Sequence, residues 1–133
     1  MIISAIVRNT ASSHDAEVRT ADVARTLAVA AKPQGRGSSV NGGEFLMLAL
    51  ATCYCNDLFR EAARLGITID SVEVQASAEF EGIGLAARNI RYRARVESAA
   101  PAAQIQQLLQ ETDAVAEIHN TLRAGAPVTL LPD

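Results

Sequence analysis

The stretch Asn41-Gly-Gly-Glu44-Phe-Leu-Met-Leu-Ala-Leu-Ala-Thr-Cys53-Tyr-Cys55-Asn-Asp57-Leu-Phe-Arg-Glu-Ala-Ala-Arg-Leu-Gly66 decides the fold of this chain. Asn41 with a glutamate three residues on fits a helix N-cap whose carboxylate bonds back, a variant of the capping box. From Phe45 to Leu50 the helix is apolar on every side, so it must be surrounded by protein rather than lie on a surface. Asn56, Asp57, Arg60, Glu61 and Arg64 then make the second half amphipathic, and Gly66 is the expected stop. The reading is one long, largely buried helix over Glu44–Leu65 that carries both cysteines of the chain.

Upstream, Ile2 to Val7 is a short apolar run, Asn9 to Asp15 is turn material, and Ala16 to Ala31 reads as one or two strands anchored by Val18, Val23, Leu27 and Val29. Residues 2–31 therefore predict an antiparallel β-meander. Lys32 to Gly43, with its proline, glycines and serines, is a loop. Downstream, Val72, Val74, Ala76, Ala78 and Phe80 alternate with polar residues, and so do Ile90, Tyr92, Ala94 and Val96. Turn glycines at 82 and 84 make this an antiparallel hairpin with one apolar and one wet face. Arg91, Arg93 and Arg95 fall on the wet face opposite acidic residues, which reads as a salt-bridged sheet surface rather than an anion site. Pro101 opens a short amphipathic helix, a second begins near Asp113 and stops at Gly125, and Pro127 to Leu131 is a closing strand or tail. The class is α+β, because no alternating βαβ pattern for a parallel sheet is present.

The totals fit one domain over residues 1–133. Hydrophobic residues make up 49% and charged residues 20%, while aromatics are only 4%, so the core must be built from Val, Ile, Leu and Ala. Small side chains bury little area per protomer, which makes a dimer a reasonable expectation. The net charge of −3, without a basic run or a stacking platform, argues against nucleic acid as a partner. The longest apolar stretch, Phe45 to Cys55, is about half of a membrane span, and residues 1–4 lack a signal-peptide pattern. The expectation is a cytoplasmic protein, in a compartment where thiols stay reduced.

Cys53 and Cys55 stand about 200° apart around a helix, so they cannot pair without breaking it. Either alone in an apolar helix is first an inert small hydrophobe. A labile Cys-x-Cys redox site requires a local distortion of the helix. His14 and His119 lie far from the cysteines in sequence, without a metal-ligand spacing, and His119 reads as a satisfied structural histidine. No nucleophile elbow or phosphate-binding loop is present. Glu44 first serves the helix start, but it can also anchor an arginine that activates a thiol.

The run Gly43-Glu-Phe-Leu-Met-Leu-Ala-Leu-Ala-Thr-Cys53, its continuation through Leu58, Ala62 and Gly66-Ile67, the hairpin Val72–Val96 and the ending Asn120-Thr-Leu-Arg-Ala-Gly-Ala-Pro-Val128 together resemble the OsmC/Ohr family of thiol-dependent hydroperoxide reductases. The resemblance covers about Gly35 to Val128. It implies an intertwined homodimer with two central helices packed back to back between β-sheets and active sites at the subunit interface. It also implies that Cys53 is the reactive thiol, held by Glu44 and by an arginine of the N-terminal region. Arg36 is carried forward for that role, with Arg19 and Arg25 as alternatives. The substrate implied is an organic hydroperoxide, with no cofactor or metal. Where the family has a second cysteine opening the last helix, this chain has Ala116, so an external thiol is the expected reductant. The alternative is a non-catalytic dimer that binds a small apolar or anionic ligand. A thiol pKa below the free reference of about 8.5 favours the enzyme, and an elevated one favours the binder.

Overall fold

The computed structural model describes all residues 1–133. Met1–Phe45 and Leu46–Asp133 form two compact units.

In the first unit, β1 (Ile3–Asn9), β2 (His14–Thr20) and β3 (Val23–Leu27) form the expected antiparallel meander. Ala5 lies opposite Val18, and Val18 opposite Arg25. The first turn is stitched by Thr10, whose hydroxyl accepts the backbone N–H groups of Ser12 and Ser13. Residues 30–41 form a compact loop in which Lys32 N–H donates to the Gly37 carbonyl (2.9 Å) and Ser39 N–H to that of Ala30 (2.9 Å). Gly37 takes φ +103, a conformation open to glycine at little cost.

The long helix α1 runs from Gly42 to Leu65. Its start is the reciprocal cap read from the sequence: Glu44 N–H donates to Asn41 Oδ1 (2.8 Å), and Asn41 N–H donates to Glu44 Oε1 (3.0 Å). Gly66 ends it at φ +70. Leu50, Tyr54, Leu58 and Ala62, spaced one turn apart, are buried, while Leu48, Thr52 and Phe59 stand exposed on another side. The helix is thus enclosed along one stripe and open along another within the chain.

In the second unit β4 (Ser71–Glu79) and β5 (Arg88–Glu97) pair antiparallel, with Val72 opposite Val96 and Val74 opposite Ala94. The alternation of burial along β4 follows the sequence pattern residue by residue. On the wet face Arg93 donates twice to Gln75 Oε1 and Arg95 pairs loosely with Glu73 at 3.8 Å, the salt-bridged surface expected. Against the apolar face pack Tyr54, Leu58 and Ala62 of α1, Ile67, and Leu108 of α2 (Ala102–Val115). Tyr54 closes the assembly by donating its hydroxyl to the Leu109 carbonyl at 2.7 Å.

Two expectations are corrected. Asp113 lies inside α2, and the break falls at Ala116, whose extended backbone (φ −73, ψ 106) separates α2 from α3 (Glu117–Arg123). Ala116 is fully buried in the core cluster. The segment at residues 127–131 forms no strand; Val128 and Leu130 are almost fully exposed, and no ladder partner holds them. No helix is long and apolar enough to cross a membrane.

Leu58 has no exposed surface, so Leu58→Ala is expected to cost about 2–5 kcal/mol in denaturant unfolding. Asn41→Ala, which strips one half of the reciprocal cap, is expected to cost about 0.5–2 kcal/mol. An Asn41→Ala loss equal to that of Leu58→Ala would contradict this ranking.

Candidate functional site around Cys53

Helical spacing builds the first half of the site. Asp57 follows Cys53 by four residues and so shares its side of α1, which brings Asp57 Oδ2 to 3.7 Å from the Cys53 sulfur. Arg60 lies three further on, and its guanidinium reaches Asp57 Oδ1 at 3.0 Å. The second half comes from α3. The break at Ala116 starts the new helix beside the sulfur, with Glu117 Oε2 at 3.9 Å and the Ile118 backbone N–H directed at it. Arg60 also approaches Glu117 Oε1, at 3.7 Å. One guanidinium therefore spans the two carboxylates that flank the thiol.

Burial pushes the Cys53 thiol above its ordinary value; the Ile118 N–H opposes this, and the negative charges of Asp57 and Glu117 add to it. Asp57 is itself buried, at 6% exposure. Burial raises its carboxyl, Arg60 pulls it down, and Glu117 pushes it up again. The thiol hydrogen has a carboxylate acceptor on either side, and the raised Asp57 is the more basic for its burial. Cys53, Asp57 and Glu117 are also a donor set whose ligand atoms lie within 4.8 Å of one another. Arg60 already supplies positive charge to both carboxylates, so a metal ion would have to compete with it.

Of the residues singled out in the sequence, Cys53 alone stands in this cluster. Glu44 is engaged in the helix cap with Asn41. Arg36 Nε donates to Asn9 Oδ1 at 2.8 Å within the first unit, and Arg19 pairs with Glu17 at 3.5 Å. Cys55 is a free thiol, as is Cys53. Sequence reading missed Asp57, Arg60 and Glu117 as partners. The i, i+4 and i, i+7 spacings from Cys53 were available signals for the first two, whereas nothing local pointed to Glu117.

A second group of polar residues lies between α3 and β5. Tyr92 and His119 rings meet edge to face with centroids 4.4 Å apart, and Tyr54 lies 4.7 Å from Tyr92. The Tyr92 hydroxyl and the Arg123 guanidinium both donate to Asp113. Burial, then the charge of Asp113, pushes the Tyr54 phenol up to about 12. His119 is only 3% exposed, yet neither ring nitrogen has a hydrogen-bond partner. It is buried as expected but not satisfied, which corrects the reading from sequence. Burial, assisted by Arg123 and opposed by Asp113, lowers its pKa.

Meander, long helix, hairpin and paired short helices, with a cysteine on the long helix, define an α+β thiol protein. A family model described as OsmC-like protein matches residues 35–131, and the chain belongs to that family. Solved structures agree on the fold. An OsmC-like protein from Mycoplasma pneumoniae is 20% identical, with a TM-score of 0.62 over 92% of this chain and 86% of that one. An organic hydroperoxide resistance protein from Elizabethkingia anophelis is 15% identical, with a TM-score of 0.62 over 92% and 89%. A Legionella pneumophila protein also described as an organic hydroperoxide resistance protein is 13% identical, with a TM-score of 0.61 over 92% and 90%. No curated protein sequence matches at a significant level.

Removing a negative charge beside the sulfur stabilises its thiolate. Asp57→Asn and Glu117→Gln are therefore each expected to move the pH midpoint of iodoacetamide alkylation at Cys53 downward. A midpoint unchanged in both variants would show that the carboxylates do not govern the thiol.

Proposed function

We propose that the protein reduces organic hydroperoxides with Cys53 as its reactive thiol, as a homodimer and with an external thiol as reductant. The observation that carries this reading is the sulfur held between Asp57 and Glu117 with Arg60 across both. A raised thiol needs a proton acceptor at hand before it can attack, and Asp57 is one. In the proposed step the thiol proton passes to the Asp57 carboxylate as the sulfur attacks the outer peroxide oxygen. The O–O bond breaks, and the proton is delivered to the leaving alkoxide to give the alcohol. Cys53 is left as the sulfenic acid. An external thiol condenses with it, releasing water, and a second reduces the mixed disulfide. The hydroperoxide resistance named for the Elizabethkingia and Legionella proteins supports the choice of substrate. A compartment of reduced thiols such as the cytoplasm suits the reductant.

The resemblance to the family adds Glu44 and Arg36 to the proposed machinery. Comparing Arg60→Ala with Arg36→Ala tells which guanidinium the thiol answers to. The raised thiol favours a second reading, a dimer that binds a small apolar or anionic ligand and leaves Cys53 unreactive. Turnover separates the two. With cumene hydroperoxide and a dithiol reductant, the protein is expected to turn over, Cys53→Ser is expected to fall to background, and Asp57→Asn to lose about 10²-fold although its thiol is the more acidic. Wild-type turnover equal to that of Cys53→Ser would leave the binding reading in place.

The proposed dimer is supported by the open side of α1. Leu48, Thr52, Cys55 and Phe59 follow the i, i+4, i+7, i+11 spacing of a helix-packing seam, and Leu48 and Phe59 are at least half exposed. Phe59→Glu is expected to convert the dimer to a folded monomer in sedimentation experiments. A monomeric wild-type protein would remove this part of the proposal.

A further inference from the structure

The short helix α3 docks through one buried side chain. Of its seven residues only His119 is buried, while Ile118 and Leu122 stay more than a third exposed. The His119 ring packs against Tyr92 of β5 with centroids 4.4 Å apart, and against Tyr54 of α1 at 5.8 Å. The other ties of the helix run back to the end of α2: Asn120 donates to the Ala114 carbonyl (3.1 Å), and Arg123 donates to Asp113 (2.6 Å). These bonds are exposed, and they give α3 a pivot at Ala116. Two residues before His119 stands Glu117, which flanks the Cys53 sulfur. We propose that α3 is an acid-released latch: protonation of His119 lifts the helix from α1 and β5 and draws Glu117 and the Ile118 N–H away from Cys53.

The surroundings of the ring suit a neutral imidazole and not a charged one. Neither nitrogen has a hydrogen-bond partner, and an unpaired charge costs far more to bury than a neutral ring. The groups that face it offer no compensation. From α1 and β5 come the Tyr54 and Tyr92 phenols, already donating to the Leu109 carbonyl and to Asp113. From α2 comes the Asp113 carboxylate, which is shared between Tyr92 and Arg123. From α3 itself comes Arg123, whose positive charge opposes a second one. Once detached, the ring meets water and takes a proton near the ordinary histidine value of about 6.5. The open state thus binds the proton more tightly than the closed state. Closure is fully favoured above that pH, and below it weakens by up to about ten-fold per pH unit. The only other histidine, His14, lies on β2 in the first unit. Asp57 and Glu117, bridged by Arg60, also join α1 to α3, so a test must separate their titration from that of His119.

Amide hydrogen exchange, followed by NMR on the full-length protein from about pH 7.5 to about pH 5, makes that separation. After correction for the intrinsic pH dependence of exchange, protection of Asn120 and its neighbours in α3 is expected to fall between about ten-fold and about 30-fold. Amides of α1, β4 and β5 are expected to keep theirs. His119→Phe leaves a ring against the two tyrosines but takes up no proton, so its α3 protection is expected to stay flat, its fold checked by circular dichroism. The wild-type ring supplies a second measurement that needs no variant: its ¹⁵N resonances are expected to remain those of a neutral imidazole in the docked state below about pH 6.5. Unchanged α3 protection, an equal loss in α1 and the hairpin, the same loss in His119→Phe, or a docked ring that titrates at the ordinary value would each overturn the latch. No peroxide enters these measurements, so their failure leaves the turnover assay standing, and a failed assay leaves the latch standing.

Discussion

The buried stripe of α1 formed by Leu50, Tyr54, Leu58 and Ala62 is the constraint on which the second unit depends. Leu58 and Leu108 lose all exposure where the helix meets α2 and the hairpin. Full burial of each such side chain contributes about 1.5–3 kcal/mol, and the Tyr54 hydroxyl bonded to the Leu109 carbonyl fixes the rotation of the helix about its axis. Once that rotation is set, the direction of every other side chain on α1 follows. Cys53 and Asp57 fall on the flank facing α3, and Leu48, Phe59 and Cys55 fall on the open side.

The same burial makes the thiol site electrostatically expensive. Two carboxylates stand beside a sulfur, and one of them is buried. Like charges at this separation raise each other's proton affinity, and Asp57 and Cys53 are both shifted upward. Arg60 offsets part of the cost from its more exposed position. A helix selected for stability alone would carry an apolar residue or an alanine at position 57. A buried acid there, four residues from the thiol, is a local conflict of the kind that concentrates at functional sites.

Much of the fold was legible because it is local. The reciprocal cap at Asn41 and Glu44, the glycine stop at Gly66 and the alternation along β4 are each settled by a few neighbouring residues. The break at Ala116 was not legible. Val115, Ala116 and Glu117 are all compatible with continuing a helix, and the burial of Ala116 in the core is visible only in the structure. The site was legible only as far as Cys53. Asp57 and Arg60 sat in plain view on the same helix but read as a solvated face, because the sequence does not reveal that α3 covers that flank. Glu117 is 64 positions from Cys53, and only the tertiary structure pairs them.

Ala116 also shows how an absence in the sequence acquires a physical meaning. Read alone, it is the position where a second thiol is missing. In the structure it is a fully buried residue packed with Tyr54, Leu58 and Leu108, and its methyl-sized side chain lets the start of α3 sit close against α1. A larger side chain there would push α3 outward and draw Glu117 and the Ile118 N–H away from the sulfur. The small residue at position 116 thus goes with a close approach of Glu117 and the Ile118 N–H to Cys53. In the proposed peroxide chemistry such a site would rely on proton transfer between thiol and carboxylate, and the second half of the cycle would fall to a molecule from outside.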